Sequence, residues 1–313
     1  MARSVTPQEL MAMKADKIPV IEGTNFPKII HQSWKSTTLP PLLKTLSETW
    51  REQYPEWMHV LWLDSDNLCL VAERFPHHLD FYKAFPEEIY RCDLVRNCYM
   101  AEFGGIYVDL DYDSFKPLTP LVQSHLTENQ ISAFLGRMPP DSRNAIEFPR
   151  QIYNAFMASV PGHPFWVYPL QQARNVWYNS EECVHGDNKK IQDVAEFVTG
   201  PHALIIAVDR YKSESKWGDP QIVELPAELV SPFAWYPSVL DPPGERLGFA
   251  YQDKHNFDLE RARRMYDNGT AYCATWWAST WKTNWFETKD GEDEKLYGDR
   301  QDGVPMLIKA SKT

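Results

Sequence analysis

The sequence contains no long apolar run: the longest, Leu204 to Val208, has the length of a buried strand and falls far short of the roughly 20 residues a membrane-spanning helix needs. No signal-peptide core is visible over Met1 to Val20 either, because Lys14, Asp16 and Lys17 interrupt the stretch where a continuous apolar segment would sit. Together these set the expectation of a cytoplasmic or membrane-peripheral protein. Basic residues are in deficit, 32 against 43 acidic for a net charge of −11, which disfavours non-specific binding to nucleic acid or an anionic bilayer while leaving room for a local phosphate pocket. The 5 cysteines (Cys69, Cys92, Cys98, Cys183 and Cys273) are scattered and odd in number, with no C-x-x-C, so neither a disulfide framework nor a zinc site is indicated. There is no phosphate-binding G-x-x-x-x-G-K loop, no G-x-S-x-G, no H-E-x-x-H and no histidine pair at metal-ligand spacing, His163 in Pro-Gly-His-Pro reading as a loop residue.

What is present, with 43% hydrophobic residues in 313, suffices for one large core. Thr6-Pro7-Gln8-Glu9 reads as a capping box opening a short helix that runs to about Lys14, an N-terminal helical appendage over residues 1–25. A strand at Lys28 to Gln32 is followed by helical spacing of Leu42, Leu43, Leu46 and Trp50. A second strand, His59 to Leu63, ends at polar residues from Asp64 to Asn67 that suit a helix cap. Pro86-Glu87-Glu88 opens a long helix stopped by Gly104-Gly105, and a third strand, Ile106 to Leu110, leaves that stop. This βαβα order predicts an α/β fold with a mainly parallel central sheet. Downstream the pattern weakens to a helix near Ala155, another from about Phe165 to Val176, a strand at Leu204 to Val208, and a charged tail over 286–313.

Two groups of residues carry candidate chemistry. Asp93 and Arg96 lie three apart on the long helix and therefore on one face, a spacing that suits either a surface ion pair or a functional unit. On the third strand, a side-chain period of two puts Tyr107, Asp109 and Asp111 on one face and Ile106, Val108 and Leu110 on the other. Carboxylates in such positions repel, and a divalent cation such as Mg²⁺ or Mn²⁺, or a polyol, would account for them. Asp113 reads as an extension of a solvated acidic turn, and the double glycine before the strand permits close backbone approach. Ligands of open α/β sheets bind at the carboxyl ends of strands, where these carboxylates fall.

The segments Phe26 to Trp34, Leu61 to Asp64, Ile89 to Arg96 and Phe103 to Asp111 resemble, in order, the DXD-containing sugar transferases similar to the initiation-specific α-1,6-mannosyltransferase and the inositolphosphorylceramide mannosyltransferases of yeasts. The likeness covers residues 26 to 120 strongly and continues loosely through Asn154 to Pro164, Thr199-Gly200-Pro201 and Trp276 to Trp281. It implies a GT-A type fold with added helices over about 26–285, a Mn²⁺- or Mg²⁺-bound nucleotide-sugar donor (GDP-mannose or a UDP-hexose), and retaining hexosyl transfer to a glycan, lipid or small molecule. By position it implies that Asp111 ligates the metal, that Asp109 contacts metal or donor, and that Asp93 and Arg96 hydrogen-bond the donor sugar. His31, Gln32 and Trp34 would line the nucleotide pocket with Asp64 and Gly105 nearby, and Asn154 would stand near the anomeric carbon. The stretch Thr275 to Lys282 matches the family's His-His-Trp-Ala-Gly-Ser-Trp segment but lacks both histidines. Ser279 or Thr280 would then meet the cation, and Trp281 and Lys282 would close over the diphosphate. The missing histidines also keep open a catalytically inactive, nucleotide-sugar-binding homologue. A Golgi lumenal setting would require an anchor outside this sequence.

Overall fold

The computed structural model describes residues 3–129, 131–139, 151–179, 195–232, 263 and 269–276. Within them the chain runs β1 (Arg3–Ser4), α1 (Pro7–Ala12), β2 (Ile29–Ser33), α2 (Pro41–Gln53), β3 (Met58–Trp62), α3 (Asp64–Arg74), α4 (Leu79–Ala84), α5 (Glu88–Glu102), β4 (Gly105–Val108), β5 (Tyr112–Ser114) and α6 (Thr119–Asn129). It continues with β6 (Ile131–Arg137), β7 (Ile152–Ser159), α7 (Val167–Asn179), a helix at Pro201–Glu214, β8 (Gln221–Leu225) and β9 (Cys273–Thr275). Seven strands form one sheet in the order β1-β3-β2-β4-β7-β6-β8, and β5 pairs separately with β9. Every neighbour in the large sheet is parallel except at β7, which runs against both β4 and β6. The expected α/β fold with a mainly parallel sheet is what the chain adopts.

Helices cover both faces of the sheet, which explains why its strands are buried nearly end to end. On one face Tyr107, Met58 and Trp62 pack with Leu70 of α3, Leu94 of α5 and Leu170 of α7. On the other, Ile30, Ile106 and Val108 pack with Trp50 of α2 and Val122 of α6. The capping box at Thr6 forms as expected, with Glu9 answering the Thr6 amide. Ahead of it β1 pairs with β3 in the sheet, and Leu10 of α1 is buried in the core.

Four local expectations are corrected. The segment around Ala155 is strand β7, and Leu204 to Val208 lies inside the helix Pro201–Glu214. That helix buries Ala203, Leu204, Ala207, Val208 and Tyr211, a helical repeat that the short apolar run conceals. The third strand stops at Val108, and Asp109 to Tyr112 form a turn closed by the Tyr112 amide on the Asp109 carbonyl at 3.1 Å. Asp111 is therefore placed by a turn rather than by strand alternation. Asp113 is not solvated: it is fully buried in β5, and Arg263 donates to both its oxygens at 2.6 and 2.9 Å.

Candidate active site

The stop of α5 sets the geometry. Gly104 takes φ +64° and its amide reaches back to the Tyr99 and Met100 carbonyls at 3.2 Å each, turning the chain straight into β4. Gly105, at φ +88°, lies so close to β2 that an added Cβ would stand 2.6 Å from the Ile29 carbonyl oxygen. Its close approach is to β2, at the amino end of β4, where it serves strand packing.

At the carboxyl end of β4, the Asp109 amide donates to the Ala155 carbonyl at 2.9 Å, which brings the amino half of the antiparallel β7 alongside. Asn154 thereby meets α5, its Nδ2 donating to Asp93 Oδ1 at 2.8 Å. Arg96 joins the pieces: Nη2 lies 3.0 Å from Asp93 Oδ1, and Nη1 lies 3.3 Å from Asp109 Oδ1 and donates to the Asn154 carbonyl at 2.9 Å. Tyr107, below Asp109 on the same side of β4, donates its hydroxyl to Asp109 Oδ1 at 2.6 Å, and the Arg96 guanidinium lies 4.9 Å from the centre of its ring. Asp93, Arg96, Asp109 and Asn154 thus converge. Tyr107 completes the group, and the period-two alternation that grouped it with Asp109 was the signal for its role.

Asp93 and Arg96 are 5% and 6% exposed, so the alternative of a surface ion pair is excluded. Burial raises the Asp93 carboxyl to about 6, against the opposing pull of Arg96, and the Asp109 charge adds to the rise. Arg96 is held firmly protonated, its own burial being overcome by Asp109, Tyr107 and Asp93. Burial likewise keeps the Tyr107 phenol protonated and a donor. Asp109 keeps 33% of its side chain exposed, so the network presents one accessible carboxylate backed by a buried cation.

The other expected residues divide. His31 is fully buried, accepting from the Trp62 indole N–H at Nδ1 (3.0 Å), bonded through Nε2 to the Gly104 carbonyl (2.9 Å) and stacked on Tyr99. Burial lowers it to about 4, so it is a neutral core histidine at neutral pH. Gln32, next on β2, accepts from the Ser47 hydroxyl at 2.6 Å, while its buried Nε2 has no hydrogen-bond partner among the described residues. Trp34 is partly exposed just past the end of β2, and Asp64 is partly exposed at the start of α3, where burial and Glu88 raise its carboxyl. Asp111 is partly exposed, and its carbonyl accepts from the Trp276 amide at 3.0 Å. Ser279, Thr280, Trp281 and Lys282 lie outside the described residues, as does the expected charged tail.

Residues 40–131, which include α5, β4 and Asp93 through Asp111, match the family described as the glycosyltransferase sugar-binding region containing the DXD motif. Over that region the chain resembles the DXD-containing glycosyltransferases. It is 32% identical over 155 residues to inositol phosphoceramide mannosyltransferase 3 of Schizosaccharomyces pombe, a match covering 50% of this chain and 38% of that protein. To mannosyl phosphorylinositol ceramide synthase CSH1 of Saccharomyces cerevisiae it is 26% identical over 189 residues, covering 59% and 43%. The chain therefore spans under half the length of these curated relatives. Among solved structures it aligns with the PaToxG glycosyltransferase at TM-score 0.41 and 15% identity, over 64% of this chain and 73% of that one.

Proposed function

We propose that this glycosyltransferase moves a hexose from a nucleotide sugar to an acceptor hydroxyl with retention of anomeric configuration, and that it is metal-dependent. The observation that carries this reading is the Arg96-centred network, which fixes Asp109 at the carboxyl end of β4 while leaving it accessible. Asp109 and Asp111 are hard oxygen donors, and no group of three metal-ligating side chains exists among the described residues. That set suits Mg²⁺ or Mn²⁺, which take one or two carboxylates and complete their shell with phosphate oxygens and water. The ion would supply charge neutralisation for the departing diphosphate.

The chain's own residues do the positioning. Asp93 and Arg96 fix the sugar ring, with Asn154 beside the anomeric carbon. Gln32 offers its spare amide N–H to the nucleotide, Trp34 offers a ring face, and Asp64 borders the same end of the sheet. The family resemblance assigns Ser279 or Thr280 to the cation, and Trp281 and Lys282 to the diphosphate. As the bond from the anomeric carbon to the leaving phosphate oxygen breaks, the acceptor oxygen bonds on the same face and its proton passes to the departing phosphate. The relatives are named as mannosyltransferases, which puts GDP-mannose ahead of a UDP-hexose, and their named lipid products put a lipid among the acceptors, beside glycans and small molecules. No helix among the described residues is long and apolar enough to cross a membrane.

The test is nucleoside diphosphate release with Mn²⁺ and a panel of nucleotide sugars, set beside Asp111→Asn. One donor consumed by the wild type and spared by the variant is expected. Equal release by both would overturn the assignment of the site.

A further inference from the structure

Opposite the Arg96 network, a second segment closes on Asp93. Residues Ala195–Val198 form one helical turn, after which the Thr199 and Gly200 amides both return to the Ala195 carbonyl, at 3.0 and 2.9 Å, before the next helix begins at Pro201. This brings Gly200 against the one Asp93 oxygen that Arg96 and Asn154 do not use. A Cβ built on Gly200 would stand 3.0 Å from Asp93 Oδ2, 2.8 Å from the Glu196 Cα and 3.2 Å from the Ala195 carbonyl oxygen. Gly200 has an ordinary extended backbone, so it is space and not conformation that requires glycine here. The consequence is that the Glu196 backbone is carried to the rim of the buried Asp93, with its side chain partly exposed. Among the described residues, none makes a hydrogen bond or ion pair with the Glu196 side chain. Arg96 pairs with Asp93 through Oδ1, and a second carboxylate at the open rim is best satisfied by a partner with hydroxyl donors.

We propose that Glu196 is a specificity-determining residue for the transferred sugar, accepting a hydrogen bond from a donor-sugar hydroxyl, and that Gly200 is the positioning residue that sets it there. This rests on the reading of the site given above. Asp93 and Arg96 hold one side of the ring and Glu196 the other. Sugars that differ in the orientation of a single hydroxyl are then distinguished by whether that hydroxyl reaches the Glu196 carboxylate, because leaving a site's acceptor unpaired discriminates more strongly than an apolar contact does.

The experiment measures binding of free nucleoside diphosphate and of nucleotide sugars by wild type, Glu196→Ala, Glu196→Gln and Gly200→Ala, with Asp111→Asn as the reference for loss of the site. The Glu196→Ala variant should bind the nucleotide sugar about tenfold more weakly, bind the free nucleoside diphosphate as the wild type does, and lose preference among hexoses. Glu196→Gln keeps an acceptor oxygen and should fall between. Gly200→Ala should weaken sugar binding in the same selective way, and Glu196→Ala carries the test should that variant fail to fold. An unchanged sugar preference and affinity in Glu196→Ala, in a protein whose binding is abolished by Asp111→Asn, would overturn this proposal and leave the glycosyltransferase site standing. Absence of nucleotide and nucleotide-sugar binding by the wild type would overturn both.

Discussion

At the scale of single residues, the decisive feature is that one guanidinium joins partners from three elements. Arg96 reaches Asp93, Asp109 and the Asn154 carbonyl, so its loss strands a buried carboxylate. Arg96→Ala should lower unfolding free energy by about 3–5 kcal/mol at neutral pH, as removal of one partner from a buried pair does. The loss should shrink near pH 5, because Asp93, already raised to about 6, rises further without its cation and becomes neutral there. Urea unfolding at the two pH values measures both effects, and a loss that grows on acidification would contradict them. The pairing of Asp93 with Arg96 was legible from helical spacing, whereas its burial was not, since the same spacing serves a surface pair. His31 and Gln32 teach the same limit. They are neighbours on a strand covered on both faces, where no polar alternation separates the core histidine from the glutamine with a spare N–H.

Among elements, β4 and the glycines before it fix the rest. Gly105 combines φ +88° with a Cβ direction that runs into the Ile29 carbonyl, so Gly105→Ala meets backbone strain and a clash that backbone cannot easily yield to. We expect a cost of about 2 kcal/mol or more, seen as a lowered denaturation midpoint, and reduced donor binding because β4 carries Asp109. A variant with unchanged stability would show that β2 shifts freely. The first three parallel strands and their helices were legible because caps, prolines and glycine stops punctuate them. From β6 onward that punctuation is lost. β7 is buried on both sides with no period to read, and the helix Pro201–Glu214 shows a five-residue apolar run of strand length. Its helical identity lies in Pro201 at the first turn and in the wider repeat out to Tyr211.

For the whole molecule, buried histidines set the response to acid. Burial lowers His31, His59 and His163 each to about 4. Their unfolded values lie near 6.5, so between roughly pH 4 and 6.5 the unfolded chain binds more protons and stability falls as pH falls. A group such as His31 loses roughly 2 kcal/mol by pH 5. Asp93 acts oppositely, being raised in the fold, and gains stability as pH falls through about 6. Three histidines outweigh one carboxylate, and thermal melts should drop steeply between about pH 7 and pH 5. A flat profile would mean that the histidines titrate freely in the native state.

The lone reversed strand has a kinetic consequence. To reach β4 in the opposite sense, β7 must return after a long excursion, and the Asn154 to Asp93 bond spans 61 positions of sequence. The βα units up to β4 assemble from near neighbours, while the pairing that completes the Arg96 network waits on closure of that loop. During refolding, burial of Trp50 and Trp62 should therefore precede recovery of nucleotide-sugar binding, and the interval between the two signals is the time the chain takes to bring β7 home.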